Sequence, residues 1–296
     1  MKEKPFSKYQ ILANAVMIIW TLAIILPFIL LFMSSITDEN TLVANGYSFF
    51  PKKFSLASYS YIIKSGGQIL KAYGVSNGVT VVGTLLNVLL SALMAYPLSV
   101  KNLPGRNVMM FFVFFTMLFN GGIVPSYIMW TGTFHIKDTI FAQLLPNFLL
   151  SAWNVMMIRT YFTTSIPDGL YEAAEIDGAS QFTIFWKIVL PLGKPILVTM
   201  GTFAGLAYWN DWTNGLYYIV KNTGLYNVQN LLNQMVQNIQ FLTQSSNSNV
   251  TAAASTIPAT GIQMAIAFVA ILPIMLIFPS FQKYYAKGIA LGAVKG

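Results

Sequence analysis

Residues 165–191 read Ser-Ile-Pro-Asp-Gly-Leu-Tyr-Glu-Ala-Ala-Glu-Ile-Asp-Gly-Ala-Ser-Gln-Phe-Thr-Ile-Phe-Trp-Lys-Ile-Val-Leu-Pro. Pro167 and Asp168 suit a helix start, because proline needs no amide donor there and a carboxylate favours the positive helix end. The helix should run to about Asp177, where Gly178 supplies the permissive backbone that ends it. Ser180 can cap a second helix carrying Phe182, Phe185, Trp186 and Val189 at helical spacing, with Pro191 and Pro195 closing it. On the first helix Asp168, Glu172 and Glu175 stand four and three residues apart and share a face. Leu170, Ala173 and Ala174 give it a small apolar side. Such a helix can enter a groove closely while its acids meet basic residues at the rim, or its acidic face can simply be solvated.

Outward from this insert the chain turns apolar. Of its 296 residues 55% are hydrophobic and only 9% charged, with a mean hydropathy of +0.61. A soluble domain carries about 25% charged residues, so an ordinary wet surface is excluded. Six apolar blocks approach the ~20 residues that a spanning helix needs: Ile11–Met33, Asn77–Val100, Val108–Met129, Ile140–Ile158, Pro195–Trp212 and Ile257–Phe281. The expected fold is all-α: one polytopic transmembrane domain over residues 1–296, with six spans. The first block is too long for a signal peptide's apolar core and reads as a retained helix.

Lys and Arg set the orientation. With the N-terminus inside, eleven basic residues fall on the inner side (Lys2, Lys4, Lys8, Lys101, Arg106, Arg159, Lys187, Lys194, Lys283, Lys287, Lys295) and six on the outer. Both termini are therefore expected in the cytoplasm, and 159–194 becomes a cytoplasmic loop holding four of the nine acidic residues. Two outer segments are large: 34–76, with room for a short helix near Leu56–Ile63, and 213–256, rich in Asn and Gln. The latter suits a neutral partner surface or a solvated loop.

Several chemistries fall away. The chain has no cysteine and one histidine, His135, which excludes disulfides, thiolate metal sites and a histidine-rich metal centre. The formal charge of +8 is scattered beside apolar blocks, so it fits topology signals and anionic lipid headgroups better than nucleic acid. No metal site, and no catalytic constellation for an intramembrane enzyme, can be assembled.

Glu172-Ala173-Ala174, then Gly178, then Ile188-Val189-Leu190-Pro191, resembles the EAA loop of bacterial ABC importer permeases at each defining position. Tyr208-Trp209-Asn210-Asp211-Trp212 and the ending Gln282–Gly296 look similar to the carbohydrate group of that family, and the resemblance covers essentially the whole chain. It implies a type I importer permease in the bacterial cytoplasmic membrane, moving an oligosaccharide by alternating access. The loop would be a coupling segment seated on a separate ATPase. Glu172 would pair with a basic residue, Ala173 and Ala174 would pack in the ATPase cleft, and Asp177, Gly178, Leu190 and Pro191 would complete the motif. The tail 282–296, through Lys287, Gly288 and Lys295, would form a second ATPase contact. Implied partners are a second, homologous permease, two copies of the ATPase, an extracytoplasmic solute-binding protein and membrane lipid. ATP and Mg would belong to the ATPases, consistent with the absence of a G-x-x-x-x-G-K-[ST] loop here.

A substrate path is expected near Trp209, Asn210, Asp211 and Trp212. Aromatic faces suit the C–H surfaces of sugars, and amides and carboxylates suit their hydroxyls. Trp209 and Trp212, three apart, are expected on one helical face, although tryptophan is also enriched at membrane interfaces. Asn120-Gly121-Gly122 inside the third block reads as a kink that either lines the path or permits close helix packing. Asn87, Asn147 and Asn154 read as interhelical hydrogen-bond formers. A stand-alone ion-coupled transporter is the competing reading. It would need ionisable residues deep in spans, and Asp211 is the one near candidate.

Overall fold

A computed structural model describes residues 8–64, 66–244 and 259–293. The described residues are mostly helical, with a single isolated bridge between Thr37 and Phe54. The helices are α1 (Lys8–Ser35), α2 (Glu39–Asn45), α3 (Ala57–Lys64), α4 (Gly66–Ser99), α5 (Arg106–Leu118), α6 (Ile123–Thr133), α7 (Phe141–Leu144) and α8 (Ala152–Ser165). They continue as α9 (Asp168–Ile176), α10 (Gln181–Leu192), α11 (Lys194–Asn210), α12 (Thr213–Tyr218), α13 (Val228–Gln244) and α14 (Ala259–Ala293).

Among the described residues two helices are long and apolar enough to cross a membrane, Tyr9–Ser35 and Gly67–Ser99. Two bent pairs meet the same test together: Arg106–Leu118 with Ile123–Thr133, at 110°, and Gln181–Leu192 with Lys194–Asn210, at 78°. Thr260–Leu276 is a shorter apolar helix. The third expected span is therefore bent at Asn120-Gly121-Gly122. Gly122 has φ +86°, and a Cβ on it would meet nothing within 4 Å, so the glycine serves the turn and not close packing within this chain. The fourth expected span, Ile140–Ile158, is not one helix. Pro146 and the left-handed Asn147 (φ +67°) separate α7 from α8, which starts at Ala152.

The chain divides into two compact units, interleaved in sequence. The first holds residues 1–69 and 232–273. Here α1 is apolar all round and exposed from Tyr9 to Phe28, as a membrane-embedded helix would be. Phe32 packs on Phe268 at 4.9 Å, and Ser35 bonds Tyr59 at 2.7 Å. Both Glu39 carboxylate oxygens accept from the start of α14, at the amides of Thr260 (2.9 Å) and Gly261 (2.8 Å). These amides have no partner within their own helix, so Glu39 satisfies them and adds charge where the helix end is positive.

The second unit holds residues 70–231 and 274–296. Its main core joins Ala92, Ala95 and Leu98 of α4, Val155, Ile158 and Phe162 of α8, Ile184, Phe185 and Val189 of α10, and Ile196 and Met200 of α11. Gly201 and Gly205 bring α11 close to α4: a Cβ on Gly201 would stand 3.3 Å from Val88, and one on Gly205 3.3 Å from Thr84. Small residues at a membrane helix contact allow that approach. Asn154 of α8 donates to Asn87 of α4 at 2.7 Å, an interhelical bond as expected. Asn87 donates to the Phe148 carbonyl at 2.6 Å and Asn147 to Asn214 at 3.1 Å, so these two bonds tie the α7–α8 connection, not two spans.

Candidate functional site

The loop of residues 165–193 has the two-helix form that its sequence dictates. Pro167 precedes α9, and Gly178 (φ +76°) turns the chain after it. The Ser180 hydroxyl accepts from the Thr183 amide at 3.2 Å and caps α10. Within α10 the turn Phe185–Val189 is a widened π turn. Pro191 cannot donate to the Lys187 carbonyl four residues back, which accounts for a loosened ladder here. Pro191 does not end the helix, however. Its last piece is Leu190–Leu192, and the corner falls at Gly193, with Pro195 in the first turn of α11.

Gly193 is a constrained joint. A Cβ there would lie 2.5 Å from Phe162 Cε1 and 2.9 Å from the Val189 carbonyl oxygen. Phe162 and Val189 are fully buried. The corner between loop and span is therefore packed against the same core that holds the spans.

The three acids of α9 are not equivalent. Asp168 pairs with Lys101 at 2.5 Å, across from the end of α4. Glu175 accepts from Gln181 at 2.8 Å, and Gln181 accepts from the Tyr96 hydroxyl at 2.6 Å. Glu172 makes neither an ion pair nor a hydrogen bond among the described residues and is exposed. The small face is also divided. Ala174 is buried against the chain's own core, contrary to the outward face expected of it, while Ala173, Leu170 and Ile176 are exposed. Ile176 at 87% exposure, with Asp177 and Gly178 exposed beside it, makes the corner the most prominent part of the loop. Phe182 and Trp186 extend this outer surface, stacked edge to face at 5.9 Å. Leu190 is half-buried and Pro191 exposed.

At the other end of the unit, α11 stops at Asn210 and the backbone at Asp211 is extended. Trp209 and Trp212 therefore do not share a helical face, correcting the expectation from their spacing: Trp209 is buried and Trp212 is 40% exposed. Trp209 lies 6.4 Å from the Tyr73 ring. Asn210 is exposed, with Gln229 at 3.5 Å. Asp211 is 5% exposed, and its Oδ1 accepts from the Thr213 amide (3.0 Å), the Thr213 hydroxyl (2.7 Å) and the Asn214 amide (3.3 Å). It thus holds the start of α12, while Oδ2 is buried with no hydrogen-bond partner among the described residues. Asn120 lies at the other bend, exposed, with its Oδ1 on the Gly122 amide at 2.8 Å.

Around Asp211 the Asn- and Gln-rich stretch folds inward instead of forming only a wet loop. Asn227 donates to the Asp211 carbonyl at 2.6 Å, Asn214 to the Pro146 carbonyl at 3.1 Å, and Gln143 to Asn230 at 3.2 Å. Asn214, Asn227, Asn230 and Gln143 are all buried. Composition could not separate these amides from solvated ones, because the same residues serve both environments.

The tail is helical beyond the expected span end, since α14 continues through Lys287 and Gly288 to Ala293. Lys295 lies outside the described residues. No group of three or more metal-ligating side chains occurs among the described residues.

Residues 70–291 match the family described as the binding-protein-dependent transport system inner membrane component. The chain belongs to this family. The match begins where the second unit begins, so it takes in the loop, its joint and the buried amide cluster. Protein LplC of Bacillus subtilis strain 168 is 36% identical over 272 residues, 92% of this chain and 90% of its own. The polygalacturonan/rhamnogalacturonan transport system permease protein YtcP of the same organism is also 36% identical, over 97% of this chain and 98% of its own. A chain from the crystal structure of a bacterial ABC transporter involved in the import of the acidic polysaccharide alginate superposes with a TM-score of 0.79. It is 26% identical and covers 95% of this chain and 100% of its own. The inner-membrane component thus carries the type I importer permease fold.

Proposed function

We propose that this chain is one permease half of an ATP-driven importer that carries an oligosaccharide across the bacterial cytoplasmic membrane. Relatives named for polygalacturonan/rhamnogalacturonan and arabinooligosaccharides transport, and a structural neighbour named for alginate import, support the carbohydrate class. In this reading the chain does no covalent chemistry. Six passes, the third bent at residues 120–122 and the fourth broken at Pro146-Asn147, leave both termini and residues 159–194 in the cytoplasm. A second, homologous permease completes the pathway, two ATPase copies bind the nucleotide and Mg, and an extracytoplasmic binding protein delivers the sugar.

One observation carries the coupling role. The loop shares a single core with α4, α8 and α11, through Ala174, Ile184, Phe185 and Val189. A displacement of α9 cannot be absorbed in a slack linker, because close-packed interiors transmit strain. The exposed corner of Glu172, Ala173, Ile176, Asp177 and Gly178 is the surface offered to the ATPase, with Glu172 and Asp177 its uncommitted charges. Leu190 and Pro191 carry the movement to the Gly193 joint, and the helical extension with Lys287 and Gly288 gives a second contact. Trp212 and Asn210 are the exposed members of the outer cluster, placed to meet sugar, while Trp209 and Asp211 hold them.

The test is to purify the chain from native membranes in mild detergent and weigh the intact complex. A mass equal to this chain, one different permease and two ATPases is expected. A lone chain that takes up sugar on an ion gradient, with no ATPase bound, would refute the proposal.

A further inference from the structure

The connection between α4 and α5 forms a concavity of about 370 Å³ lined by Lys101, Leu103, Gly105, Arg106, Asn107 and Val108. Its charge is one-sided. Lys101 and Arg106 both line it; Arg159 is outside the lining, near enough to Arg106 for the two guanidinium groups to repel one another. One carboxylate, Asp168, answers these three cations, through Lys101 alone. Arg159 Nε is occupied by the Leu98 carbonyl at 3.2 Å. Arg106 Nε is shut off from solvent and has no hydrogen-bond partner among the described residues. Nε is closed to a phosphate oxygen as it is to water, so an anion in the concavity would be drawn by the charges of Lys101 and Arg106 and not bonded at Nε.

The remaining lining narrows the chemistry. Gly105 is left-handed at φ +74°, and the Asn107 and Val108 amides that follow make no hydrogen bond among the described residues. Free amides, a guanidinium and an ammonium together match the tetrahedral oxygens of a phosphate group. Leu103 is half-buried in the wall, and Val108 and Met109 expose apolar surface on the first turns of α5. A polar pocket continuous with an apolar helix surface matches a phosphate that carries an acyl chain better than a soluble ion. Basic pockets at the cytoplasmic ends of membrane helices take anionic headgroups in this way.

We propose that the Lys101–Arg106 concavity binds the phosphodiester of an anionic phospholipid headgroup from the inner leaflet. This rests on the orientation proposed above, with residues 100–106 on the cytoplasmic side. Lys101 is then shared between the headgroup and Asp168 at the start of α9. The lipid therefore competes for the tether that fastens the coupling loop to the end of α4.

The experiment reads lipid bound to the purified complex by native mass spectrometry, with phosphatidylglycerol as probe, phosphatidylcholine as neutral control and inorganic phosphate as soluble competitor. The expected result is retained phosphatidylglycerol. Lys101→Gln with Arg106→Gln should bind it about thirtyfold more weakly, from the loss of two headgroup-facing charges. Arg106→Lys should recover part of that loss, which a purely structural role for the guanidinium would not allow. Displacement of phosphatidylglycerol by inorganic phosphate would overturn the lipid assignment and give the pocket to a soluble phosphate. Equal retention of both lipids, or a double variant that binds like the parent, would overturn the site itself. The chain has no cysteine, so Asn102→Cys places one reporter thiol beside the pocket. An impermeant maleimide should label it only from the cytosolic side. Labelling from outside would refute the orientation, separately from the lipid result.

Discussion

Replacing Gly193 by alanine adds one methyl group at the corner between the loop and the fifth span. The backbone tolerates it, since Gly193 sits at φ −77° and ψ −4°, in the ordinary right-handed region. The cost comes from contact: the new Cβ would stand 2.5 Å from Phe162 Cε1 and 2.9 Å from the Val189 carbonyl oxygen. Phe162 cannot swing aside freely, because it is wholly buried among α4, α8 and α10. Overpacking of this kind costs about 1–3 kcal/mol. The stiffer unfolded chain returns about 0.4–1 kcal/mol, leaving a net loss of roughly 1–2 kcal/mol. Relief requires the 78° corner to change, so ATP-driven uptake should fall further than folded protein does. The assay is a double-mutant cycle of Gly193→Ala and Phe162→Leu, with unfolding in detergent and uptake in proteoliposomes measured on all four proteins. Leucine at 162 alone should be destabilising, but should relieve the alanine, giving a coupling of about 1 kcal/mol. Strictly additive effects, or a Gly193→Ala protein with unaltered stability and transport, would refute the reasoning.

Other consequences are equally measurable. Glu172→Lys should weaken ATPase association, read by co-purification, while membrane insertion stays normal; Glu172→Gln should act in the same direction but less. Glu39→Gln should lower stability by about 1 kcal/mol, since a carboxylate on a helix start is replaced by an amide that can still accept one bond; unchanged unfolding would show that the Thr260 and Gly261 contacts contribute nothing. Asn87→Leu should cost roughly 0.6–1.7 kcal/mol, the range for hydrogen bonds within membrane proteins, by freeing the Phe148 carbonyl and the Asn154 amide. Asp138 should make its contact with residues 220–222 acid-sensitive. Amides of Lys221, Val220 and Asn222 hold its carboxyl below the ordinary carboxylate value, so its contribution is complete above that ordinary value and lost as pH falls through the lowered one. Protection of the amides of residues 220–222, measured against the intrinsic exchange rate at each pH, should fall on acidification in the parent and be low at both pH values in Asp138→Asn.

The sequence disclosed most where local chemistry and tertiary structure agree. Pro167, Gly178 and Ser180 act within a few residues of themselves, so the two-helix loop and its corner were legible. The α1 and α4 spans followed from unbroken apolar length. The broken spans were harder. Hydropathy stays high through Asn120-Gly121-Gly122 and through Pro146-Asn147, yet a 110° bend and a left-handed residue interrupt the helices there. Trp209 and Trp212 misled for a related reason: a three-residue spacing means one face only while the helix lasts, and Asp211 has already left it. The division of labour among Asp168, Glu172 and Glu175 could not be read at all. Their partners, Lys101 and the Gln181–Tyr96 pair, come from positions that only the packed core brings near. The inward fold of Asn214, Asn227 and Asn230 was hidden for the same reason.

The central claim is that the Glu172–Gly178 corner seats on the ATPase. Because the parent chain has no cysteine, Glu172→Cys introduces a unique attachment point. The most direct measurement is a short-arm thiol-to-amine cross-link from that position in native membranes, with the adduct identified by peptide mass spectrometry. The account predicts an adduct with the ATPase subunit, at a yield that changes when ATP and Mg are added. Adducts with lipid or with other membrane proteins alone, while the ATPase still co-purifies, would contradict it.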